Sequence, residues 1–161
     1  MSNKNLYLYI LMRTDLVSMG CGRAAAQASH AANAFIYRYG RGTKSSKINS
    51  EIQSWQSQTT QGFGTAIVLA CNEKEINELT QKAFRQGFFT GIVTDPDYVV
   101  SVSSELVRFM NNISKYSDAK LEPSPNDPNK YLFHRSEVTC AYIFGDKEKL
   151  SPLLSGLPLY S

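Results

Sequence analysis

Apolar residues fall along the chain in short unbroken runs, separated by longer stretches in which they recur every three or four positions. Leu6 to Met12 reads LYLYILM, the length and composition of a strand buried on both faces. The segment from Gly22 to about Tyr37 then reads as a helix. Beyond a polar connector, GRGTKSS, Ile48, Ile52 and Trp55 recur at spacings of four and three, which predicts a short amphipathic helix over Lys47 to Ser57. GTAIVLAC, Gly64 to Cys71, is a β-branched run with the form of a second buried strand. EKEINELTQKAFRQG follows as a helix, with Asn72 as its N-cap and Gly87 as its stop. Phe88 to Thr94 predicts a third strand, closed by turn chemistry in DPD, Asp95 to Asp97. A helix over Ser103 to Ile113 and the segment EPSPNDPNK make an excursion. Val138 to Phe144 then gives a fourth strand, followed by the helix DKEKLSPLL and the tail SGLPLYS. Strands alternating with helices predict an α/β fold with parallel neighbours and right-handed crossovers. The expected architecture is a single domain with a small mixed four-stranded sheet and helices on both faces, interrupted by an insertion at about 96–135. No internal repeat is visible.

Composition narrows the classes. The 161 residues suit one domain with a real core, and 42% hydrophobic against 19% charged residues describes a globular chain. No apolar run approaches the roughly 20 residues of a membrane span. The first apolar stretch is too short and too soon charged, at Arg13 and Asp15, for a signal peptide. Cys21, Cys71 and Cys140 form no CxxC pair, and with two histidines they suggest neither a zinc site nor a disulfide framework. A reduced cytoplasmic setting is the expectation. The net charge of +3 permits a nucleic-acid partner without demanding one.

Candidate chemistry gathers where strand-to-helix loops meet, beyond the carboxyl ends of parallel strands. Gly20 and Gly22 flank Cys21 at the head of the first helix, where backbone N–H groups and the helix dipole favour an anion. Arg23 in that first turn opposes the dipole by about 0.3–1 kcal/mol, a cost that an anion at the site would offset. A solvated surface arginine is the plainer alternative. Arg23, Gln27 and His30 follow i, i+4, i+7, which predicts one polar stripe on a helix whose alanines pack closely. Gln27 and His30 also suit polar anchors for loops. Asp95 ends the third strand at the same predicted edge, with turn formation as its alternative role. Cys21 has only Arg23 as a local basic partner, so a thiol nucleophile is not favoured.

These residues carry a resemblance. MRTDLVSMGCGRAAAQASHAAN is similar to the first motif of the type-II, archaeal and eukaryotic-type, peptidyl-tRNA hydrolases, R-x-D-L-x-M-G-K-G-K-I-A-A-Q-x-x-H-A. Arg13, Asp15, Leu16, Met19, Gly20, Gly22, Ala25, Ala26, Gln27, His30 and Ala31 fall on the pattern once one extra residue is allowed between Leu16 and Met19. NEKEINELTQKAFRQGFFTGIVTD resembles the family's helix, glycine stop and strand ending in a functional aspartate, here Asp95. SGLPLYS resembles its G-x-L-K-L-Y ending, one residue short. The likeness excludes roughly Pro96 to Arg135.

The resemblance implies an esterase that cleaves peptide from the 3′ ribose of tRNA, recycling tRNA from abortive translation as a homodimer without metal or cofactor. It implies substrate-binding roles for Arg13, Asp15, Gly20, Cys21, Gly22 and His30, and catalytic roles for Arg23 and Asp95 with Gln27 and a threonine. Thr139 is the nearest match for that threonine, although an ungapped register from Gly145 places Cys140 there instead. The motif's two lysines are Cys21 and Arg23 here, and Val99 replaces a threonine of D-A-G-x-T-Q. Arginine keeps the charge but cannot act as a proton-transfer base at neutral pH. Asp95 is therefore expected to act on water, Arg23 and nearby N–H groups on the ester oxygen, and Gln27 and Thr139 to position them. A member that binds tRNA or a protein partner without turnover is the alternative.

Overall fold

The computed structural model describes residues 4–40, 46–103, 107 and 119–161. In chain order it contains β1 (Leu6–Arg13), α1 (Cys21–Phe35) with a π-helical turn at Ile36–Gly40, α2 (Ser46–Ser57), β2 (Thr65–Cys71), α3 (Glu73–Arg85), β3 (Phe89–Ser103), β4 (Lys120–Pro123), β5 (Lys130–Asp146) and α4 (Lys147–Leu154). Most of the helix expected over Ser103 to Ile113, and of the GRGTKSS connector, lies outside the described residues. The strand order is β2-β1-β5-β3, with β4 paired to β5. Five strands therefore replace the expected four. The sheet is mixed: β1 runs parallel to β2 and antiparallel to β5.

The chain forms two compact units, Met1–Val93 with Thr139–Ser161, and Thr94–Val138. In the first, Leu8, Ile10 and Met12 alternate along β1 and lie opposite Phe144, Tyr142 and Cys140 of β5. This face meets Ala24, Ala31 and Phe35 of α1 and Ile48, Ile52 and Trp55 of α2 in one buried cluster. Phe35 is its aromatic centre, with edge contacts to Trp55 and Tyr142 and a tilted contact to Phe144. The alternate residues Leu11, Ala141 and Ile143 point the other way by the strand period. They are buried as well, as are Ile76 and Ala83 of α3 and Leu150 and Leu154 of α4. Helices thus cover both faces of β1 and β5 in this unit.

Local chemistry fixes the helix ends. Asn72 and Glu75 form a reciprocal capping box at α3, each side chain meeting the other's N–H, at 2.9 and 2.8 Å. Gly87 ends α3 with φ +83°, a left-handed conformation that glycine adopts at no steric cost. Asp146 caps α4 by accepting from the Glu148 and Lys149 N–H groups.

In the second unit β3 does not stop at DPD. The Asp95 carboxylate accepts the Asp97 N–H at 3.0 Å, a local turn-like bond, yet the extended chain continues to Ser103. Tyr98, Val100 and Val102 are buried at every second position, so period-two alternation overrides the turn signal. The same unit contains β4, whose residues Lys120 to Pro123 pair antiparallel with His134 to Tyr131 across a turn rich in proline and asparagine. β4 carries little strand signal in the sequence, because only Leu121 of its four residues is even half-buried.

Candidate functional site

The β1–α1 loop begins at a buried cation. Arg13 is 5% exposed, and its guanidinium donates two near-parallel bonds to Asp15, at 2.8 and 3.0 Å. A third arm reaches Glu73 in the first turn of α3 at 3.2 Å. The hydrogen bonds from Arg13 hold the Asp15 carboxyl below its ordinary pKa. Arg13 and Asp15 thus fasten the loop to the start of α3. Sequence reasoning missed Glu73, whose signal was an acidic residue one position past an N-cap. An open groove beside Asp15 is lined by Asn72, Glu73, Lys74, Asn77 and Glu78, and its carboxylates disfavour a phosphate there.

The loop then turns through Ser18, whose φ of +74° is uncommon for a residue other than glycine. The Ser18 hydroxyl accepts from Arg23 Nη1 at 2.8 Å. Gly20 is the N-cap of α1; no side chain caps the helix, and its first turn contains no acid. A Cβ added to Gly20 or Gly22 would meet no atom within 4 Å. Internal packing therefore does not require either glycine, and the backbone there is open to a close approach from outside. Cys21 between them is exposed.

Two turns of α1 further into the protein the chemistry changes from open to closed. Gln27 is 3% exposed and Thr139 fully buried, and the Thr139 hydroxyl donates to Gln27 Oε1 at 2.6 Å. The Cys140 thiol donates to the Gln27 carbonyl at 3.4 Å. This is a brace between α1 and β5. His30, by contrast, is exposed. The buried stripe of α1 is Ala24, Gln27, Ala31 and Phe35, so the predicted Arg23–Gln27–His30 row runs along the border of the packed face, with Gln27 buried, Arg23 half-buried and His30 exposed. Ala25 and Ala26 also face solvent, while Ala28, Ala32 and Ala34 pack against the core.

Asp95 belongs to the second unit, half-buried on β3. In that unit Asp97 bonds His134 Nδ1 at 2.8 Å and Arg135 bonds Glu137 at 2.6 Å. Formal charge divides unevenly: residues 94–138 include seven acids and five bases, a net −2, leaving +5 for the rest of the chain. Among the described residues no three His, Cys, Asp or Glu side chains are grouped to hold a metal ion, and no helix is long and apolar enough to cross a membrane.

A family model described as peptidyl-tRNA hydrolase PTH2 matches residues 6–104. The match takes in the β1–α1 loop and Asp95, and stops short of Thr139. No curated protein matches the chain. Among solved structures, a protein of unknown function, Atu0240, from Agrobacterium tumefaciens str. C58 is similar at 12% identity over 98% of both chains, with a TM-score of 0.40.

Proposed function

The chain belongs to the peptidyl-tRNA hydrolase PTH2 family, and from that membership we propose that it hydrolyses the ester bond joining a peptide to the 3′ ribose of tRNA, recycling tRNA from abortive translation in the cytoplasm. The observation that carries this reading is the head of α1, an uncapped, acid-free first turn with Arg23 and open space at Gly20 and Gly22. Orphan N–H groups and a guanidinium together suit a phosphate of the tRNA end or the oxygen of a tetrahedral intermediate. The charge division supports the same unit as the one that meets tRNA, since +5 lies outside residues 94–138.

By family likeness Asp95 is assigned the proton of the water whose oxygen bonds to the ester carbonyl carbon. Charge builds on the carbonyl oxygen, where Arg23 and the N–H groups near Gly22 donate. The carbonyl re-forms as its bond to the ribose oxygen breaks, and that oxygen leaves with the proton Asp95 took, freeing tRNA and a peptide carboxylic acid. The Thr139 hydroxyl is bonded to Gln27 Oε1, so the pair fixes α1 to β5 and thereby positions the groups at the helix head. Arg13 and Asp15 hold the loop in the same indirect way. A homodimer is part of the proposal by family likeness, and the segment at about 96–135 is proposed as an insertion outside that likeness. Arg23→Gln is expected to lower kcat for peptide release from peptidyl-tRNA by about 10²-fold, with Arg23→Lys retaining most of it. Wild-type turnover by the glutamine variant would remove Arg23 from the mechanism.

A second reading is tRNA binding without turnover, or binding of a protein partner. Cys21 and Arg23 in place of the motif's lysines, and Val99 in place of a threonine, favour it. Retention of tRNA on a filter with no peptide released distinguishes it.

A further inference from the structure

The segment Leu157–Tyr160 lies along the outer edge of β2. The Ala70 N–H donates to the Pro158 carbonyl at 2.9 Å, the Tyr160 N–H donates to the Val68 carbonyl at 3.0 Å, and Leu69 and Leu159 form an antiparallel bridge. This seating leaves the Tyr160 ring half-buried against the same core that Met19 packs on. The Tyr160 hydroxyl donates to the Met19 carbonyl at 3.2 Å, across 141 residues of chain.

Met19 sits between the two groups that define the head of α1. Before it is Ser18, left-handed and bonded to Arg23. After it is Gly20, whose carbonyl accepts the Ala24 N–H at 2.9 Å to start the helix. The Met19 N–H is itself held, donating to the Leu16 carbonyl at 3.2 Å. The Met19 carbonyl and the Gly20 N–H share one planar trans peptide, in which they point in opposite directions. A bond that fixes the carbonyl therefore fixes the Gly20 N–H, turned away from Tyr160. Ring packing alone would not set the rotation of that peptide.

We propose that Tyr160 is a positioning residue: its hydroxyl locks the Met19–Gly20 peptide and so aims the Gly20 N–H, the first turn of α1 and Arg23 toward the substrate. The catalytic consequence rests on the hydrolase reading above; the lock itself does not. Tyr160→Phe removes the hydroxyl and keeps the ring and the backbone bonds. Two readouts separate the two ideas. The first is the rate at which iodoacetamide alkylates Cys21 at pH 8, without substrate. Cys21 is exposed and two residues past Met19, whereas burial pushes the Cys71 and Cys140 thiols up to about 12 and about 11 and keeps them silent. The second is peptidyl-tRNA hydrolysis. Tyr160→Phe is expected to change the alkylation rate by about threefold or more and to lower kcat by about tenfold, with KM within about twofold. Leu159→Ser, whose side chain is exposed, is expected to match the wild type in both. An unchanged alkylation rate in Tyr160→Phe overturns the lock, and an unchanged kcat in an active enzyme overturns the positioning role. If the wild type releases no peptide, the hydrolase reading fails and the alkylation rate alone decides the lock.

Discussion

The Thr139 hydroxyl is buried with Gln27 Oε1 as its partner, and a polar atom in that setting is costly to leave alone. Thr139→Val keeps the shape and deletes the donor. It is expected to destabilise the fold by about 1–3 kcal/mol in urea unfolding at neutral pH, with Thr139→Ser retaining the bond and most of that stability. An unchanged midpoint in the valine variant would mean that Gln27 finds another donor at no cost. Gln27 could be singled out from the sequence because a long polar residue interrupts a run of alanines. Its direction could not. At about 100° per residue, the buried stripe of Ala24, Gln27, Ala31 and Phe35 centres about 100° away from His30 and somewhat less from Arg23. Arg23 and His30 therefore flank or leave the packed face, and only a knowledge of which alanines pack would have said so.

Elements are held at their ends by groups that spacing hardly reveals. The link from β1 to α3 through Arg13, Asp15 and Glu73 joins residues up to sixty positions apart, and no local pattern announces such a contact. Its pH dependence follows from the lowered Asp15 pKa. A carboxyl held below its ordinary value stabilises the fold fully above that ordinary value, roughly 3.9, and the contribution is lost as pH falls through the folded pKa. Asp15→Asn is thus expected to be less stable than the wild type at pH 7, with the gap narrowing at a pH below the ordinary carboxyl range. Urea unfolding at the two pH values checks this, and a gap independent of pH would assign the effect to something other than ionisation. The buried strands β1 and β2 and the capped α3 were readable because their signals are long or paired, as in LYLYILM or Asn72 with Glu75. The continuation of β3 was not, because DPD is strong turn chemistry and the alternation that overrides it comes only afterwards, at Tyr98, Val100 and Val102.

On the scale of the whole molecule, the chain carries two compact units of opposite formal charge, and the family match covers the first unit's loop and helix together with the start of the second. Family membership was readable because the residues from Arg13 to Ala31 fall on one motif, with further likenesses from Asn72 to Asp95 and in the tail. The role of residues 94–138 was not, since a net charge of −2 points to no single ligand class. The central claim is turnover, and it is tested by incubating the purified full chain with peptidyl-tRNA and measuring released peptide against buffer. Steady release that falls by about 10²–10⁴-fold in Asp95→Asn is the predicted result. No release above buffer, or an Asp95→Asn protein as active as the wild type, would contradict it.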